Sequence, residues 1–442
     1  MTHTSTSASG TELDRHDVGF TVSHYDLTLD YRVATNRLDA VAVVTANATE
    51  DLAGISLELA SLKVTEVLVN GRRPARWRHQ RGLMTVRLAA PLRAHEEFAV
   101  TVRYGGKPGP LLGPWGDVGW EELADGVLVA GQPDGAASWF PCHNSPADKA
   151  AFRITVTAES LYTVVCNGRL VSRTALSARE RWVYEMAQPM SPYLATVQVG
   201  RYESFELASG PIRQVVFAPP KLRHAVMDDL ARQPQMMDVF RDAFGPYPFV
   251  DYTVVVTDDV LEIPVEAQGL SVFGANHLDG TQTWERLVAH ELAHQWFGNS
   301  LTVASWNEIW LHEGFACYAE WLWSHASGGE TAHQQAVAAY ARLAELPQDF
   351  LIGDPDADHM FDDRLYKRGA LALHSLRLTV GEEPFFAVMR AWAAENRHGT
   401  VSTQGFIDTA QRMTSTTLGG LFAAWLETEE LPPLPSRFAE HT

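Results

Sequence analysis

The chain has 442 residues, 46% of them hydrophobic and 20% charged, with three cysteines and a formal net charge of −19. That length predicts two or three domains with ample core, and the acidic balance disfavours nucleic acid and anionic membranes as partners. No segment approaches the ~20 uninterrupted apolar residues of a membrane span, and the sparse, odd set of cysteines (Cys142, Cys166, Cys317) predicts a reducing cytoplasm rather than a disulfide framework.

In chain order, residues 1–17 are polar, lack the apolar stretch of a secretory signal and are expected to form a disordered tail. Alternation follows. Tyr25, Leu27, Leu29, Tyr31 and Val33 interleave with Asp26, Thr28, Asp30 and Arg32, the pattern of a half-buried strand. Ile55, Leu57 and Leu59 repeat it, as do Phe98 to Tyr104 and Phe152 to Val156, with tight-turn signals at Asn70-Gly71 and Asn167-Gly168. An antiparallel β domain is therefore expected over residues 18–205. From Arg223 the pattern turns helical, and strands return at Tyr252 to Thr257 and Gly269 to Phe273. One helix is predicted from about Trp284 to Phe297, stopping at Gly298-Asn299. A second carries Glu313 and stops near Gly328-Gly329; a third carries Tyr366. A Pro-rich tail is expected over 432–442.

The chemistry concentrates in the first two of these helices. His290-Glu291-Leu292-Ala293-His294 is an HExxH pattern. Residues four apart share a helix face, so the two imidazoles can serve one metal ion, while the Glu291 carboxylate can reach a water on that metal. Val288, Leu292, Trp296 and Phe297 make the helix apolar on much of its circumference, which predicts burial. Buried histidines and a buried carboxylate each need a partner, and a zinc ion supplies one. Glu313 follows His294 after eighteen residues and returns a third ligand to the site. Three protein ligands leave an open position for water, whose pKa zinc lowers to roughly 7. Glu320, seven residues further on the same face, is either a carboxylate that orients a ligand histidine or a solvated surface residue. Cys317 lies on that face too; a thiol ligand is conceivable, and a small apolar packing role fits better with three ligands already assigned.

These residues resemble the gluzincin aminopeptidases related to aminopeptidase N and leukotriene hydrolase. The resemblance extends to Trp139-Phe140-Pro141-Cys142 followed by Pro146-x-Asp148-Lys149-Ala150, to Pro189-Met190-Ser191-x-Tyr193-Leu194, to Phe244-Gly245-Pro246-Tyr247-Pro248-Phe249 and to Tyr366-Lys367-Arg368-Gly369-Ala370. It covers about residues 20 to 430 and implies an α+β architecture: a saddle-like β domain over 18–205, then a thermolysin-like catalytic domain over 206–431, without the large helical C-terminal domain of longer members.

The resemblance also implies roles. One zinc ion per chain would be held by His290, His294 and Glu313, with Glu291 as general base. Tyr366 matches the family tyrosine that stabilises the oxyanion; Lys367 stands where the family has an acidic residue. Glu266, in Ile263-Pro264-Val265-Glu266-Ala267-Gln268-Gly269, matches the carboxylate that anchors the substrate's ammonium group, although the surrounding residues diverge and Pro264 removes a backbone donor. Gln132 is a second contributor, Asp134 a weaker one, and Val265 is expected to line the pocket for the first substrate residue. The expected function is zinc-dependent removal of N-terminal residues from peptides, with no obligate protein partner. Two alternatives share the zinc site: a peptidase that also cleaves internally or trims leader peptides, and an epoxide hydrolase. A third, a non-catalytic scaffold, conflicts with the retention of Glu291 and Tyr366.

Overall fold

The computed structural model describes residues 18–435, so the tail expected over 1–17 and the last seven residues of the tail expected over 432–442 lie outside the described residues. Phe20–Arg32 is a long strand whose alternation shifts once, at an irregularity between Val22 and His24, and then runs on with Tyr25, Leu27, Leu29 and Tyr31 fully buried. It lies in a seven-stranded sheet with the spatial order Arg169–Leu176, Arg179–Met190, Ala150–Glu159, Phe20–Arg32, Arg37–Ala48, Glu97–Gly106 and Lys63–Val69. A second, five-stranded sheet (Leu111–Gly113 to Val197–Gly200) and a three-stranded one (Leu52–Glu58, Leu83–Leu92, Arg76–Gln80) complete the β-rich part.

The expectation of an antiparallel domain needs one correction. Phe20–Arg32 pairs in parallel with Ala150–Glu159, His24 opposite Ala151. Alternating burial specifies which face of a strand is inward, not which way its neighbour runs. The second strand reaches this position more than a hundred residues later, after the three-stranded sheet and the first three strands of the five-stranded one, so no hairpin dictates its direction.

A further five-stranded sheet begins at Glu203, in the order Glu203–Ala208, Arg213–Ala218, Asp251–Val256, Leu270–Phe273 and Val265–Ala267. Its two faces are covered differently. Val254, Val256 and Phe273 join the main core with Phe244 and Trp296. Val255, Val272, Ala267 and Leu270 pack on Leu128, Val165 and Tyr202 from the β-rich part. The sheet is thus clamped between helices and the preceding β structure, which explains its near-continuous apolar strands.

Three helices carry the motif residues: Glu285–Ala293, Trp310–Ala326 and Asp363–Val380. The last starts where Asp362 accepts a hydrogen bond from the Arg364 backbone N–H and stops at Gly381, whose φ of +90° suits glycine. Its crossing with Trp310–Ala326 is unusually close. A Cβ placed on Gly314 would lie 2.9 Å from the Gly369 backbone, and one on Gly369 would lie 2.9 Å from the Gly314 Cα. Both glycines neighbour motif residues, Glu313 and Tyr366, so the absence of a side chain sets the distance between them. Replacing Gly369 by Ala is therefore expected to force the helices apart and to lower stability by about 1–3 kcal/mol, measured by denaturant unfolding; an unchanged midpoint would show that the crossing yields freely.

Candidate metal and active site

The ligand atoms of His290, His294 and Glu313 all lie within 4.8 Å of one another, and all three residues are buried. Each Nε2 stands 3.4 Å from Glu313 Oε2. Their opposite ring nitrogens are occupied: His290 Nδ1 is 2.8 Å from Glu320 Oε1, and His294 Nδ1 is 3.0 Å from the Phe297 carbonyl. Carboxylate and carbonyl oxygens only accept, so both Nδ1 atoms carry protons when the rings are neutral. Both Nε2 lone pairs then converge on one point beside Glu313.

That arrangement fits zinc. Bonds of 2.0–2.1 Å in a tetrahedron imply about 3.4 Å between neighbouring donor atoms, which matches the two Nε2–Oε2 separations. The donor set of two imidazoles and one carboxylate is that of a catalytic zinc site.

Glu320, left open between two readings by the sequence, is buried and bonded to His290. Burial would raise its carboxyl, but the His290 hydrogen bond and the Lys367 charge prevail and hold it below the usual carboxylate range. Arg286 adds contacts of 3.2 Å to both its oxygens. Lys367, where the resemblance led us to expect an acidic residue, donates to Cys317 Sγ at 3.3 Å and helps to keep Glu320 ionised. Cys317 is a buried free thiol outside the donor trio.

Glu291, Tyr366 and Glu266 surround the same point. Glu291 is 4% exposed and its Oε2 has no hydrogen-bond partner among the described residues. Burial raises its carboxyl above the ordinary value. The Tyr366 ring stacks on His290 with 6.0 Å between centroids, and its hydroxyl bonds Glu313. Burial, then the charges of Glu313, Glu266 and Glu291, push that hydroxyl well above 10, so it is a proton donor at any ordinary pH. Glu266 lies on the edge strand Val265–Ala267, opposite Ser271. Its Oε1 also has no partner, and burial pushes its carboxyl up to about 8.

Two sequence expectations fare differently. Val265 precedes Glu266 on the strand, so its side chain takes the opposite face. It packs against the small apolar cluster of Leu128, Val165 and Val272, on the far side of the sheet from the site. The pocket-lining role expected of Val265 is corrected accordingly. Gln132 follows the strand Gly126–Ala130, and its neighbour Gly131 abuts the Tyr193 backbone. The buried Tyr193 hydroxyl feels the charges of Glu266 and Glu313, so this loop borders the site. Gln132 Nε2 is buried without a partner among the described residues, while Asp134 accepts a hydrogen bond from Asn144 through its backbone carbonyl.

Sequence reading missed the residues that hold Glu266 in place. Gln295 accepts from the Gly269 N–H at 2.8 Å and donates to the Ala267 carbonyl at 3.2 Å; Asn299 donates to the same carbonyl at 2.9 Å. The signal was present: both are amides in or beside a run otherwise made of buried apolar residues. A cleft of about 620 Å³ also opens elsewhere, lined by Arg169, Trp182, Phe217 and Asp251. It contains none of the trio, so donor chemistry rather than cleft size identifies the site.

Comparison with known proteins agrees. The profile of the Peptidase M1 N-terminal domain matches residues 21–194, and that of the Peptidase family M1 domain matches residues 229–425. An M1 zinc metallopeptidase from Deinococcus radiodurans superposes with a TM-score of 0.87 at 30% identity, covering 95% of this chain and 96% of that one. A variant of it bound to a Tyr-Ser-Ala substrate superposes equally well, with a TM-score of 0.87. Aminopeptidase M1-B of Oryza sativa subsp. japonica is 26% identical over 325 residues, 68% of this chain and 37% of that protein. Leucyl aminopeptidase of Saccharolobus solfataricus is 24% identical over 399 residues, 82% of this chain and 48% of that protein. This chain thus spans less than half the length of these two curated relatives, whereas the match with the Deinococcus protein covers 96% of that chain. Among the described residues no helix is long and apolar enough to cross a membrane. With both profiles in sequence order and a two-domain neighbour of matching extent, the chain belongs to the M1 family of zinc metallopeptidases.

Proposed function

We propose that this protein is a zinc aminopeptidase that removes single residues from the free N-terminus of peptides. The observation that carries the reading is the buried Glu266 carboxyl, whose Oε1 has no partner among the described residues and which feels the charges of His294, Glu291 and Glu313. A substrate ammonium would satisfy it, and an acyl-blocked terminus would leave it unpaired. The peptide bound to the Deinococcus relative supports the substrate class. We also propose that the β domain spans 18–205 and the catalytic domain 206–431.

His290, His294 and Glu313 would hold the zinc. When bound there, zinc supplies Lewis acidity, acidifying a water and polarising the scissile carbonyl. Glu291 takes the water's proton and passes it to the leaving amine; burial, by raising its carboxyl, makes the protonated form accessible for that second step. Tyr366 donates its hydroxyl to the carbonyl oxygen as charge develops there. Glu266 fixes the ammonium and so sets the register of the first peptide bond, with Gln132 as a second polar contact.

Three outcomes are expected. First, on a panel of fluorogenic amino-acid amides the protein hydrolyses at least one, a chelator stops the reaction, and acetylating the α-amine abolishes it. Retained cleavage of the acetylated substrate would favour the reading with internal cleavage. In the same panel Glu291→Gln should keep its zinc and lose about 100- to 10,000-fold in kcat.

Second, Tyr366→Phe should lower kcat about a hundredfold with KM little changed, because the hydroxyl acts where charge develops rather than on the bound substrate. A rise in KM alone would place Tyr366 in substrate binding instead.

Third, zinc affinity should climb with pH. In the metal-free chain burial alone would lower both imidazoles, but the Glu313 and Glu320 carboxylates push His290 up to about 9, and Glu313 and Glu266 push His294 up to about 10. Both rings are then protonated at neutral pH, and zinc must displace a proton from each. Between about pH 6 and 8 the affinity should rise by up to about two log units per pH unit. Calorimetry in buffers of different ionisation enthalpy counts the released protons; none released would refute the assignment of protonated rings.

A further inference from the structure

We propose that Lys149, in the β-rich part of the chain, is a positioning residue for the metal: it grips the turn that aims His294. The inference rests on the reading of His294 as a zinc ligand.

The regular helix ends at Ala293 rather than continuing to Phe297 as the sequence pattern predicts. Beyond it the backbone widens. Asn299, Ser300 and Leu301 donate to the carbonyls of His294, Gln295 and Trp296, three successive bonds spanning five residues each. Gly298, with φ +121°, lies against the His294 ring; a Cβ there would come within 3.1 Å of Nδ1. His294 Nδ1 is itself held by the Phe297 carbonyl in this turn. The direction of the His294 lone pair therefore depends on the conformation of residues 297–302.

That segment is held from outside the catalytic helices. Lys149 Nζ lies 3.0 Å from the Asn299 carbonyl, 2.8 Å from that of Ser300, 3.0 Å from Thr302 Oγ1 and 3.3 Å from the Gly399 carbonyl. The wide turn points its carbonyls outward, away from intrahelical donors, and the half-buried Lys149 amine, whose pKa desolvation pushes down to about 7, donates to them. Thr302 passes the grip inward, donating to the Gly298 carbonyl at 2.7 Å, where the Tyr193 hydroxyl also donates at 3.2 Å.

That amine is itself placed rigidly. Asp148, its neighbour, accepts from the Val22 N–H at 3.0 Å and pairs with His143 at 2.8 Å. The Ser191 hydroxyl donates to the Pro146 carbonyl at 2.6 Å. The segment Pro146-Ala147-Asp148-Lys149, which has no part in the chemistry, thus transmits the position of the β structure to a metal ligand.

The test uses the full chain with Lys149→Met, Lys149→Arg, Thr302→Val and His294→Ala. Zinc affinity is measured by competition with a chromogenic chelator, kcat and KM on an amino-acid amide, and stability by thermal unfolding. Lys149→Met should bind zinc about 10- to 100-fold more weakly and lose kcat by a similar factor, with KM within about twofold. Lys149→Arg should recover part of both, because it restores N–H donors to the same carbonyls. Thr302→Val, a milder change to the same contact, should weaken zinc severalfold and stands in if Lys149→Met does not fold. Lower stability with unchanged zinc affinity in Lys149→Met, or in Thr302→Val as its substitute, would overturn the proposal and leave Lys149 a domain tether. The two readings fail separately: His294→Ala retaining wild-type zinc affinity removes the ligand assignment itself, whereas loss in His294→Ala with none in the Lys149 variants refutes only the positioning role.

Discussion

The arrangement depends on one constraint: two imidazoles on adjacent turns must both present Nε2 to the same point. A histidine ring can rotate and exchange tautomers, so spacing on a helix does not by itself deliver two lone pairs. It is delivered here by filling the Nδ1 positions with groups that only accept, the Glu320 carboxylate and the Phe297 carbonyl. Each of those acceptors then has to be fixed. Arg286 and Lys367 hold Glu320 and keep it ionised in a setting where burial alone would neutralise it. Phe297 belongs to the wide turn after the helix, which has its own fastenings. The close Gly314–Gly369 crossing completes the set, since it brings Tyr366 against the ring of His290.

The same helix end serves a second purpose. Gln295 and Asn299 project from it to the backbone of Ala267 and Gly269, on either side of the turn that leads from the Glu266 strand to its neighbour. His294 and Glu266 therefore move as one body, although they lie on different elements. The Glu266 strand and the helix end that carries His294 are tied to each other by three amide hydrogen bonds. Buried amides of this kind are costly unless satisfied, and here each satisfies a backbone group that the edge strand and its turn would otherwise leave open.

How much of this the sequence disclosed follows from the range of the interactions. The HExxH face and the long alternating strands are local patterns, set by periods of 3.6 and 2, and they were readable directly, whereas Glu313, on another helix, was reached through the spacing of the motif that the chain resembles. Glu320 was half readable: its helical register with Glu313 was visible, while the choice between surface and interior depended on Arg286, thirty-four residues away. Val265 was misplaced because reading it beside Glu266 ignored the strand's alternation, which sends neighbours to opposite faces. The parallel pairing of Phe20–Arg32 with Ala150–Glu159 was invisible, since burial periodicity carries no direction. The Lys149 contacts join residues 150 and 250 positions apart, and the chain offers no local sign of them.

The Ile263-Pro264-Val265-Glu266-Ala267-Gln268 segment diverges around Glu266 from the pattern it resembles, and the fastenings explain how it can diverge. Pro264 precedes the first paired residue, Val265 opposite Val272, so its missing N–H removes nothing from the ladder. The contacts from Gln295 and Asn299 are to backbone atoms of Ala267 and Gly269, not to side chains. Side chains around Glu266 can therefore vary while the carboxylate keeps its place, provided the strand pairs with Leu270–Phe273 and the helix end keeps its two amides. On the proposed reading, the element that selects a free amine is the backbone path of the strand with the one acidic side chain it presents.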